Sequence, residues 1–307
     1  MSMTEDLLST NNNEEVCKCL RWAVSLSSGF ENPQLERLFR KGVQCITQAE
    51  FDKLSLMRHK EDTLAALYGR LLLREGTRKH TGVEWDEITF DRTERGKPFI
   101  VTPANVSFGI NISHQGNYVA FASSCAGQVG VDIMRLDKER NNKTADEYIN
   151  SMAKSASDEE LKQMRSQPTE AMKMTMFYRY WCLKEAILKA TGEGIMKDLN
   201  RLDFRCNFAD RYRQGCFVTS TTVLEDGKLQ RQWVFEESFI DNNHSVAVCK
   251  QKRTPPYCIF GKDPEGKLFF SKISLESLLE NAMIINPLPA DGIHAWEEFS
   301  AKPRKSF

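Results

Sequence analysis

The most regular pattern in the chain lies between Val106 and Ser113, where apolar residues occupy every second position. Strict alternation with a period of two predicts a β-strand that buries one face. The sequence His-Gln-Gly-Asn at residues 114–117 predicts a turn, and the apolar residues from Tyr118 to Ser123 predict the returning strand. This part of the chain is therefore expected to form a β-hairpin.

Two other segments show the period of a helix. Between Glu61 and about Lys79, leucines and a tyrosine recur at spacings of three and four residues, which predicts a helix with one apolar stripe. From about Thr175 to Thr191, apolar and aromatic residues occupy nearly the whole circumference of a helix. The second pattern predicts a helix that is buried on all sides.

Shorter apolar runs predict the remaining strands. They cover Val16–Leu26, Gln128–Met134, Phe217–Leu224, Gln230–Glu237 and His244–Cys249. The Asp-Gly pair at residues 226–227 predicts a hairpin between the third and fourth of these strands. The charged stretch that follows Met134, up to about residue 158, is expected to be a loop.

The order helix, hairpin, strand occurs in both halves of the chain, which predicts an α+β fold made of two related α+β subdomains, a pseudo-dimer. The first subdomain is expected at residues 15–126 and the second at residues 127–252, with small, turn-prone residues at their joint. Residues 253–307 are expected to form a peripheral C-terminal extension with an amphipathic stretch at about 274–285.

Composition narrows the class of protein. The 307 residues include 42 basic and 42 acidic side chains, and 41% are hydrophobic, which excludes a disordered chain. The zero net charge argues against a protein whose main ligand is a nucleic acid. The nine cysteines form no Cys-x-x-Cys pair and are odd in number, so reduced thiols in the cytosol are expected. The N-terminal residues lack the pattern of a signal peptide, and no apolar stretch reaches the roughly 18 residues that a membrane span needs.

Glu185 is the first candidate for chemistry. On a helical wheel it lies between Trp181 and Tyr178, with Lys184 and Lys189 on either side. A carboxylate among aromatic side chains requires a cation or a hydrogen-bond donor. It would therefore bind a metal or accept a proton, close to lysines suited to phosphate. The alternative is an ordinary salt bridge with Lys189, four residues later.

Asp132 is the second candidate. It interrupts the apolar run Gly130–Met134, and the period of a strand places it on the same face as Gly130 and Met134. Aspartate is disfavoured within strands, so Asp132 has either a specific role or a structural role at a sheet edge. His114 and the basic turn Arg95-Gly-Lys-Pro98 are further candidates, although both also occur for purely structural reasons.

Taken in order along the chain, these motifs form a recognisable series. It consists of Arg95-Gly-Lys-Pro98, Asn111-Ile-Ser-His114, Gly130-Val-Asp132 and Trp181-Cys-Leu-Lys-Glu-Ala186. The series resembles the Sfp-type 4′-phosphopantetheinyl transferases over about residues 15–250, and is most similar to an animal cytosolic branch of that family.

The resemblance implies a reaction and its catalytic residues. The chain would transfer the phosphopantetheine arm of coenzyme A to a serine hydroxyl of a carrier protein and release adenosine 3′,5′-bisphosphate, as a holo-acyl-carrier-protein synthase does. Asp132 and Glu185 would bind Mg²⁺ through oxygen ligands, and Glu185 or a metal-bound water would accept the serine proton. Lys189 would stabilise the pyrophosphate oxygens.

The resemblance also implies the contacts to coenzyme A. Lys60 and the turn at residues 95–98 would bind the 3′-phosphate and the adenine side, and Ser113 and His114 would contact phosphates. The full set of expected contacts is Lys60, Arg95, Gly96, Lys97, Pro98, Asn111, Ile112, Ser113, His114, Asp132, Glu185 and Lys189.

One departure from the family pattern concerns the metal. Bacterial relatives have a third acid where this chain has Met134, and a thioether is a poor ligand for Mg²⁺. The metal is therefore expected to keep an extra water and to bind more weakly. The animal relatives share this methionine, so we interpret it as the mark of a subtype.

The expected partners are coenzyme A and acyl or peptidyl carrier domains, such as those of fatty acid synthase and of aminoadipate-semialdehyde dehydrogenase-like enzymes. A monomer is expected, because one chain contains both subdomains, and neither nucleic acid nor a membrane is an expected partner. Two alternatives remain open: a catalytically silent module that binds coenzyme A or a carrier, and a structural α+β protein with buried ion pairs.

Overall fold

A computed structural model describes residues 19–136, 143–194, 198–207, 209–252 and 269–305. Parts of the predicted elements lie outside these ranges: residues 16–18 of the first strand, residues 137–142 of the loop after Met134, and residues 253–268 and 306–307 of the extension. Among the helices in the described ranges, none has the length and apolar character needed to cross a membrane.

The first half of the chain combines helices with an antiparallel sheet. Its elements are β1 (Arg21–Ser25), α1 (Leu26–Glu31), α2 (Leu35–Gln44), α3 (Gln48–Ser55), α4 (Lys60–Thr81), β2 (Thr89–Arg92), β3 (Pro98–Thr102), β4 (Gly109–Gln115) and β5 (Tyr118–Ser124). Strands β1, β5 and β4 lie side by side in that order, and β2 and β3 form a separate hairpin. The leucines of the predicted stripe on α4 are fully buried in the core beneath this sheet.

The second half has the same kinds of element. They are β6 (Val129–Arg135), α5 (Ala145–Ser151), α6 (Asp158–Arg165), α7 (Glu170–Thr191), β7 (Leu202–Arg205), β8 (Thr222–Glu225), β9 (Lys228–Leu229), β10 (Trp233–Asp241) and β11 (His244–Gln251). Strands β6, β11 and β10 form a sheet in that order, and α7 packs on it with most of its side chains buried. The prediction of a buried helix is confirmed, although one face of it, with Trp181, Glu185 and Lys189, is only partly buried.

The two halves repeat one topology. In each, the first strand pairs with the last, and the last pairs with the strand before it. A helix of 22 residues packs on each sheet, and each helix ends at a glycine in the left-handed conformation, Gly82 with φ 71° and Gly192 with φ 77°. Glycine adopts this conformation without the steric cost that a Cβ would bring. The predicted pseudo-dimer of two α+β subdomains is thus confirmed.

Side chains rather than a backbone ladder join the two sheets where β4 runs beside β6. Asn111 Oδ1 accepts a hydrogen bond from the backbone N–H of Val131 at 3.0 Å, and Gln115 Oε1 accepts one from the N–H of Arg135 at 2.5 Å. These bonds satisfy edge donors of β6 that would otherwise be buried without a partner. They also fix the relative register of the two halves.

The described part of the C-terminal extension belongs to the first half. It contains β12 (Ser271–Lys272), α8 (Leu275–Leu279) and α9 (Ile293–Ala301), and β12 pairs in parallel with β1. Leu278 and Phe299 are buried in the same core as α2 and α4. The prediction of a peripheral extension is therefore wrong for residues 269–305, because their apolar faces complete that core. The subdomain boundaries themselves stay predictions.

The expected loop between Met134 and about residue 158 contains α5, so that prediction is wrong as well, and α6 begins where the loop was expected to end. Both helices begin with a capping box, Thr144 with Glu147 and Ser157 with Glu160, in which side chain and backbone exchange hydrogen bonds. Helix α3 begins in the same way at Thr47. The sequence signal for this motif is a serine or threonine followed three residues later by glutamate, and it would have revealed all three helices.

Two predicted hairpins differ in detail. Strand β4 begins at Gly109 rather than Val106 and continues through Gln115, so only two residues turn the chain before β5. The Asp-Gly turn at residues 226–227 joins β8 to the short β9, whereas β10 pairs with β11. The predicted pairing of residues 217–224 with β10 is present as an isolated bridge, in which the backbones of Val218 and Glu237 exchange two hydrogen bonds of 2.9 Å.

Gly130 brings β6 unusually close to α7. A Cβ atom at this position would lie 2.1 Å from the carbonyl oxygen of Ala186 and 2.3 Å from the backbone nitrogen of Ala190. Real Cβ atoms do not approach backbone atoms so closely, so the helix can rest on this strand only because residue 130 has no side chain.

We predict that Gly130→Ala destabilises the protein by about 1–3 kcal/mol or more, since the added methyl group must displace the backbone of α7. Urea unfolding followed by circular dichroism measures the change. An unfolding midpoint equal to that of the unmodified protein would show that the strand and the helix do not need this close contact.

Candidate active site

The close packing of β6 on α7 places Asp132 beside Lys189. Asp132 Oδ1 accepts a hydrogen bond from Lys189 Nζ at 2.6 Å, and Asp132 is only 5% exposed. The two residues come from the second half of the chain, from adjacent elements. The structure thus confirms that Asp132 projects toward the helix on the same strand face as Gly130.

Strand β4 of the first half supplies a third member of this cluster. Ser113 Oγ donates a hydrogen bond to Asp132 Oδ1 at 3.0 Å and accepts one from Lys189 Nζ at 2.7 Å. Ser113 is buried, so its hydroxyl orients the acid and the lysine relative to each other. The expected contact between Ser113 and a phosphate stays a prediction.

The other carboxylate oxygen of Asp132 suits a cation. Oδ2 is buried and has no hydrogen-bond partner among the described residues. Burial raises the pKa of Glu185, and the negative charge of Asp132 raises it further, while Lys189 acts in the opposite direction. A carboxyl group whose ionisation is opposed by a neighbouring carboxylate is stabilised in its charged form by a hard divalent cation, which prefers oxygen ligands. Asp132 and Glu185 therefore fit Mg²⁺.

The described residues contain no group of three or more histidine, cysteine or acidic side chains placed to hold a metal. Met134 lies on the same strand and is buried, and its sulfur accepts a hydrogen bond from Gln115 Nε2 at 3.4 Å. A cation at Asp132 and Glu185 would hence complete its coordination with water or with oxygens of a bound substrate.

Beside this cluster a cleft of about 820 Å³ opens between the two halves. Helices α3 and α4 and the hairpin β2–β3 form one wall, and the C-terminal part of α7 forms the other. The expected site residues that line it are Arg95, Gly96, Lys97, Pro98, Asn111, Ile112, His114, Glu185 and Lys189. The structure thus brings most of the predicted contacts together around a single space.

The basic turn at residues 95–98 is anchored to the end of α7. Lys97 Nζ donates a hydrogen bond to the carbonyl oxygen of Ala190 at 2.7 Å, and the Arg95 guanidinium donates one to the carbonyl oxygen of Glu193. Cations are favourable at this negative end of a helix dipole. Burial lowers the pKa of Lys97. The turn therefore joins the two walls of the cleft.

Of the expected contacts, Ser113 and Asp132 lie in the cluster beside the cleft, and Lys60 does not line the cleft either. Its backbone N–H donates to the carbonyl oxygen of Pro303 at 3.1 Å. Four other cations that were not predicted line the cleft, namely Lys53, Arg70, Arg74 and Arg92. The available signal was the helical spacing of Arg70 and Arg74 beside the apolar stripe of α4, but the sequence did not show which way that face pointed.

His114 opens onto the cleft from the end of β4. Its surroundings desolvate the ring and lower its pKa, and the charge of Lys189 acts in the same direction. The imidazole is thus neutral near pH 7 and can donate a single hydrogen bond from the nitrogen that carries the proton.

Lys184, the neighbour of Glu185, faces away from the cleft. It is 2% exposed, and its ammonium lies 2.9 Å from a carboxylate oxygen of Glu160 and donates a hydrogen bond to the carbonyl oxygen of Leu199 at 2.9 Å. This lysine ties α7 to α6 and supports the helix.

Two family models match the chain, one in each half. The model of the N-terminal domain of 4′-phosphopantetheinyl transferase matches residues 32–126, and the model of the 4′-phosphopantetheinyl transferase superfamily matches residues 128–249.

Curated relatives agree with these models. An L-aminoadipate-semialdehyde dehydrogenase-phosphopantetheinyl transferase from Rattus norvegicus is 33% identical over 236 residues, which cover 76% of this chain and 75% of the relative. The protein of the same name from Xenopus laevis is 29% identical over 297 residues, 94% of each chain. A phosphopantetheinyl transferase from Thraustochytrium sp. is 31% identical over 232 residues, 74% of this chain and 76% of the relative.

The raised pKa of Glu185 predicts a pH-dependent stability. The folded protein holds this proton more tightly than the unfolded chain does, so the stabilising contribution is complete below the ordinary glutamate pKa and is lost as pH rises through the raised value. Without divalent cations, we expect Glu185→Gln to unfold at a higher urea concentration than the unmodified protein at pH 7, and at a similar one at pH 4.

The measurement is a pair of urea titrations at each pH in the presence of a chelator. Glu298→Gln, which changes an exposed glutamate of α9, is the control and should follow the unmodified protein. If the unfolding midpoints of Glu185→Gln and the unmodified protein changed in the same way between the two pH values, the raised pKa of Glu185 would be refuted.

Proposed function

The chain belongs to the 4′-phosphopantetheinyl transferase superfamily, and from this premise we propose that it transfers the 4′-phosphopantetheine arm of coenzyme A to a serine hydroxyl of carrier domains, releasing adenosine 3′,5′-bisphosphate. The observation that carries the proposal is the buried Oδ2 of Asp132, which has no hydrogen-bond partner among the described residues and lies beside Glu185, next to a cleft shared by both halves.

The cleft suits a long, charged molecule such as coenzyme A. It extends from Lys189 on α7 and Gly192 just after that helix, past His114, to Lys53 and Arg92 in the first half. These cations match the phosphates of coenzyme A in sign. The apolar side chains among them, which include Phe90 and Ile112, suit the adenine ring and the pantetheine arm.

We further propose that Asp132 and Glu185 hold Mg²⁺. When bound there, the ion would neutralise negative charge on the pyrophosphate of coenzyme A. The donor set supports this assignment, because both ligands are carboxylates and one of the four oxygens is buried without a hydrogen-bond partner among the described residues.

Three side chains of this protein would have the remaining roles in the reaction. Glu185 would accept the proton of the attacking serine. Lys189, held by Asp132 and Ser113, would stabilise negative charge on the phosphate that departs with the nucleotide. His114 would donate a hydrogen bond to a phosphate oxygen.

The carriers are proposed by class. We propose acyl and peptidyl carrier domains, as in a holo-acyl-carrier-protein synthase, and the names of the animal relatives suggest that an aminoadipate-semialdehyde dehydrogenase-like protein is one of them. Both walls of the cleft come from one chain, which supports a monomer as the active species. The cysteine pattern supports a cytosolic location.

The direct test of activity is mass spectrometry of an apo carrier domain after incubation with coenzyme A and Mg²⁺. The unmodified protein should add one phosphopantetheine group to each carrier. Glu185→Gln should reduce the turnover number by about 10²–10⁴-fold, as expected for loss of a general base. A Glu298→Gln control should keep full turnover, since that glutamate is exposed on α9.

An unchanged carrier mass, in an experiment where a known transferase modifies the same carrier, would overturn the proposal. Full turnover by Glu185→Gln would leave the proposed reaction valid but would show that Glu185 is not the general base.

The metal is tested separately. We expect a chelator to abolish transfer and added Mg²⁺ to restore it. Asp132→Asn should need a higher Mg²⁺ concentration for half-maximal rate, because an amide oxygen carries no full charge. Transfer that proceeds at an unchanged rate in the chelator would contradict the proposed ion.

A further inference from the structure

Residues 302–305 of the C-terminal segment cross the connection between α3 and α4, which consists of residues 56–59. Lys302 Nζ donates hydrogen bonds to the carbonyl oxygens of Ser55 at 2.9 Å and Met57 at 2.5 Å, at and just beyond the end of α3. Carbonyls at a helix C-terminus have no donor within the helix, and a cation there is favourable. Lys302 therefore fixes the end of α3.

The same segment fixes the start of α4. His59, the N-cap residue of α4, makes no side-chain capping bond, and the N–H of Lys60 donates to the carbonyl oxygen of Pro303 instead. A first-turn N–H of a helix lacks an internal acceptor, so this bond replaces the missing cap. Both ends of the connection thus depend on residues 302–305.

Two acids in the first turn of α4 hold the segment in place. Glu61 is 4% exposed, accepts a hydrogen bond from the backbone N–H of Lys305 at 2.9 Å, and pairs with Arg304. Asp62 pairs with the ammonium group of Lys305. Burial opposes ionisation of Glu61, but the hydrogen bonds from Lys305 and Arg304 outweigh it and hold the pKa below its ordinary value.

The connection that is held in this way forms part of the cleft. Met57 in the connection and Lys53 on α3 both line it. The segment also acts on the electrostatics of His114, at the end of β4. After burial and Lys189, the next contributions to the lowered pKa of His114 come from Asp62, which raises it, and Lys305, which lowers it. Residues 302–305 therefore lie close to where the phosphates of coenzyme A are proposed to bind.

We propose that residues 302–305 form a strap that positions the α3–α4 connection for coenzyme A binding, with Lys302 as its main positioning residue. This inference rests on the proposed function and concerns the affinity for coenzyme A, not the chemical step. Lys302 acts through the backbone of Ser55 and Met57, so its loss should change KM for coenzyme A while kcat is kept.

The first test is Lys302→Met, which keeps the aliphatic stem and removes the donor. We expect Kd and KM for coenzyme A to rise about three- to ten-fold, which is part of the effect of losing hydrogen bonds from a charged donor. We expect kcat to stay unchanged to within about two-fold. Calorimetry with coenzyme A gives Kd, and initial rates at saturating carrier give KM and kcat. Lys228→Met, at an exposed lysine of β9, is the control and should match the unmodified protein.

The second test reverses the ion pair between Asp62 and Lys305, whose side chains are 33% and 38% exposed and tolerate exchange. Asp62→Lys and Lys305→Asp should each raise KM for coenzyme A, and the double variant should recover most of the loss, because attraction between the two positions is restored. This test remains available if Lys302→Met does not fold by circular dichroism.

Each failure has a distinct meaning. If the unmodified protein transfers no phosphopantetheine, the proposed function fails. If it does transfer, and Lys302→Met binds coenzyme A with an unchanged Kd, the strap is refuted and the function stands. A double variant no better than either single one also refutes the strap, because the charges would then act directly on the ligand.

Discussion

The site depends on the direct contact between the backbone of β6 at Gly130 and the backbone of α7. A side chain at residue 130 would separate the strand from the helix, and Asp132 would then move away from Glu185 and Lys189. The proposed chemistry requires Asp132, Glu185 and Lys189 to lie within a few ångströms of one another. The close contact at Gly130 is therefore its physical condition. The first half contributes Ser113 to the same cluster, so the site also requires that β4 lie beside β6.

Buried charges on successive faces of α7 keep the helix in this position. Arg179 makes a bidentate pair with Glu237, and Lys184 pairs with Glu160, all four side chains being almost fully buried. Removal of one partner would leave an uncompensated charge in the interior, at a cost of about 3–5 kcal/mol. Most of the surface of α7 is apolar, but these ion pairs set its orientation, because they are more directional than apolar contacts.

Much of this arrangement could be predicted from the sequence because local patterns determine it. The period of α4, the buried character of α7 and the strand face of Asp132 all follow from side-chain periodicity. The positions of Lys53 and Arg70 in the cleft, and the bonds of Lys302 to α3, depend on contacts between distant parts of the chain, which periodicity does not encode. The resemblance covered residues 15–250 and so gave no information about the C-terminal segment.

The measurement that tests the central claim most directly is the binding of Mn²⁺, as a spectroscopic substitute for Mg²⁺, in the presence of coenzyme A. Electron paramagnetic resonance should detect one bound Mn²⁺ per chain in the unmodified protein, and greatly weakened binding in Asp132→Asn and Glu185→Gln. Equal Mn²⁺ binding by all three proteins would contradict the account, because the ion would then lie elsewhere and the buried oxygen of Asp132 would need another explanation.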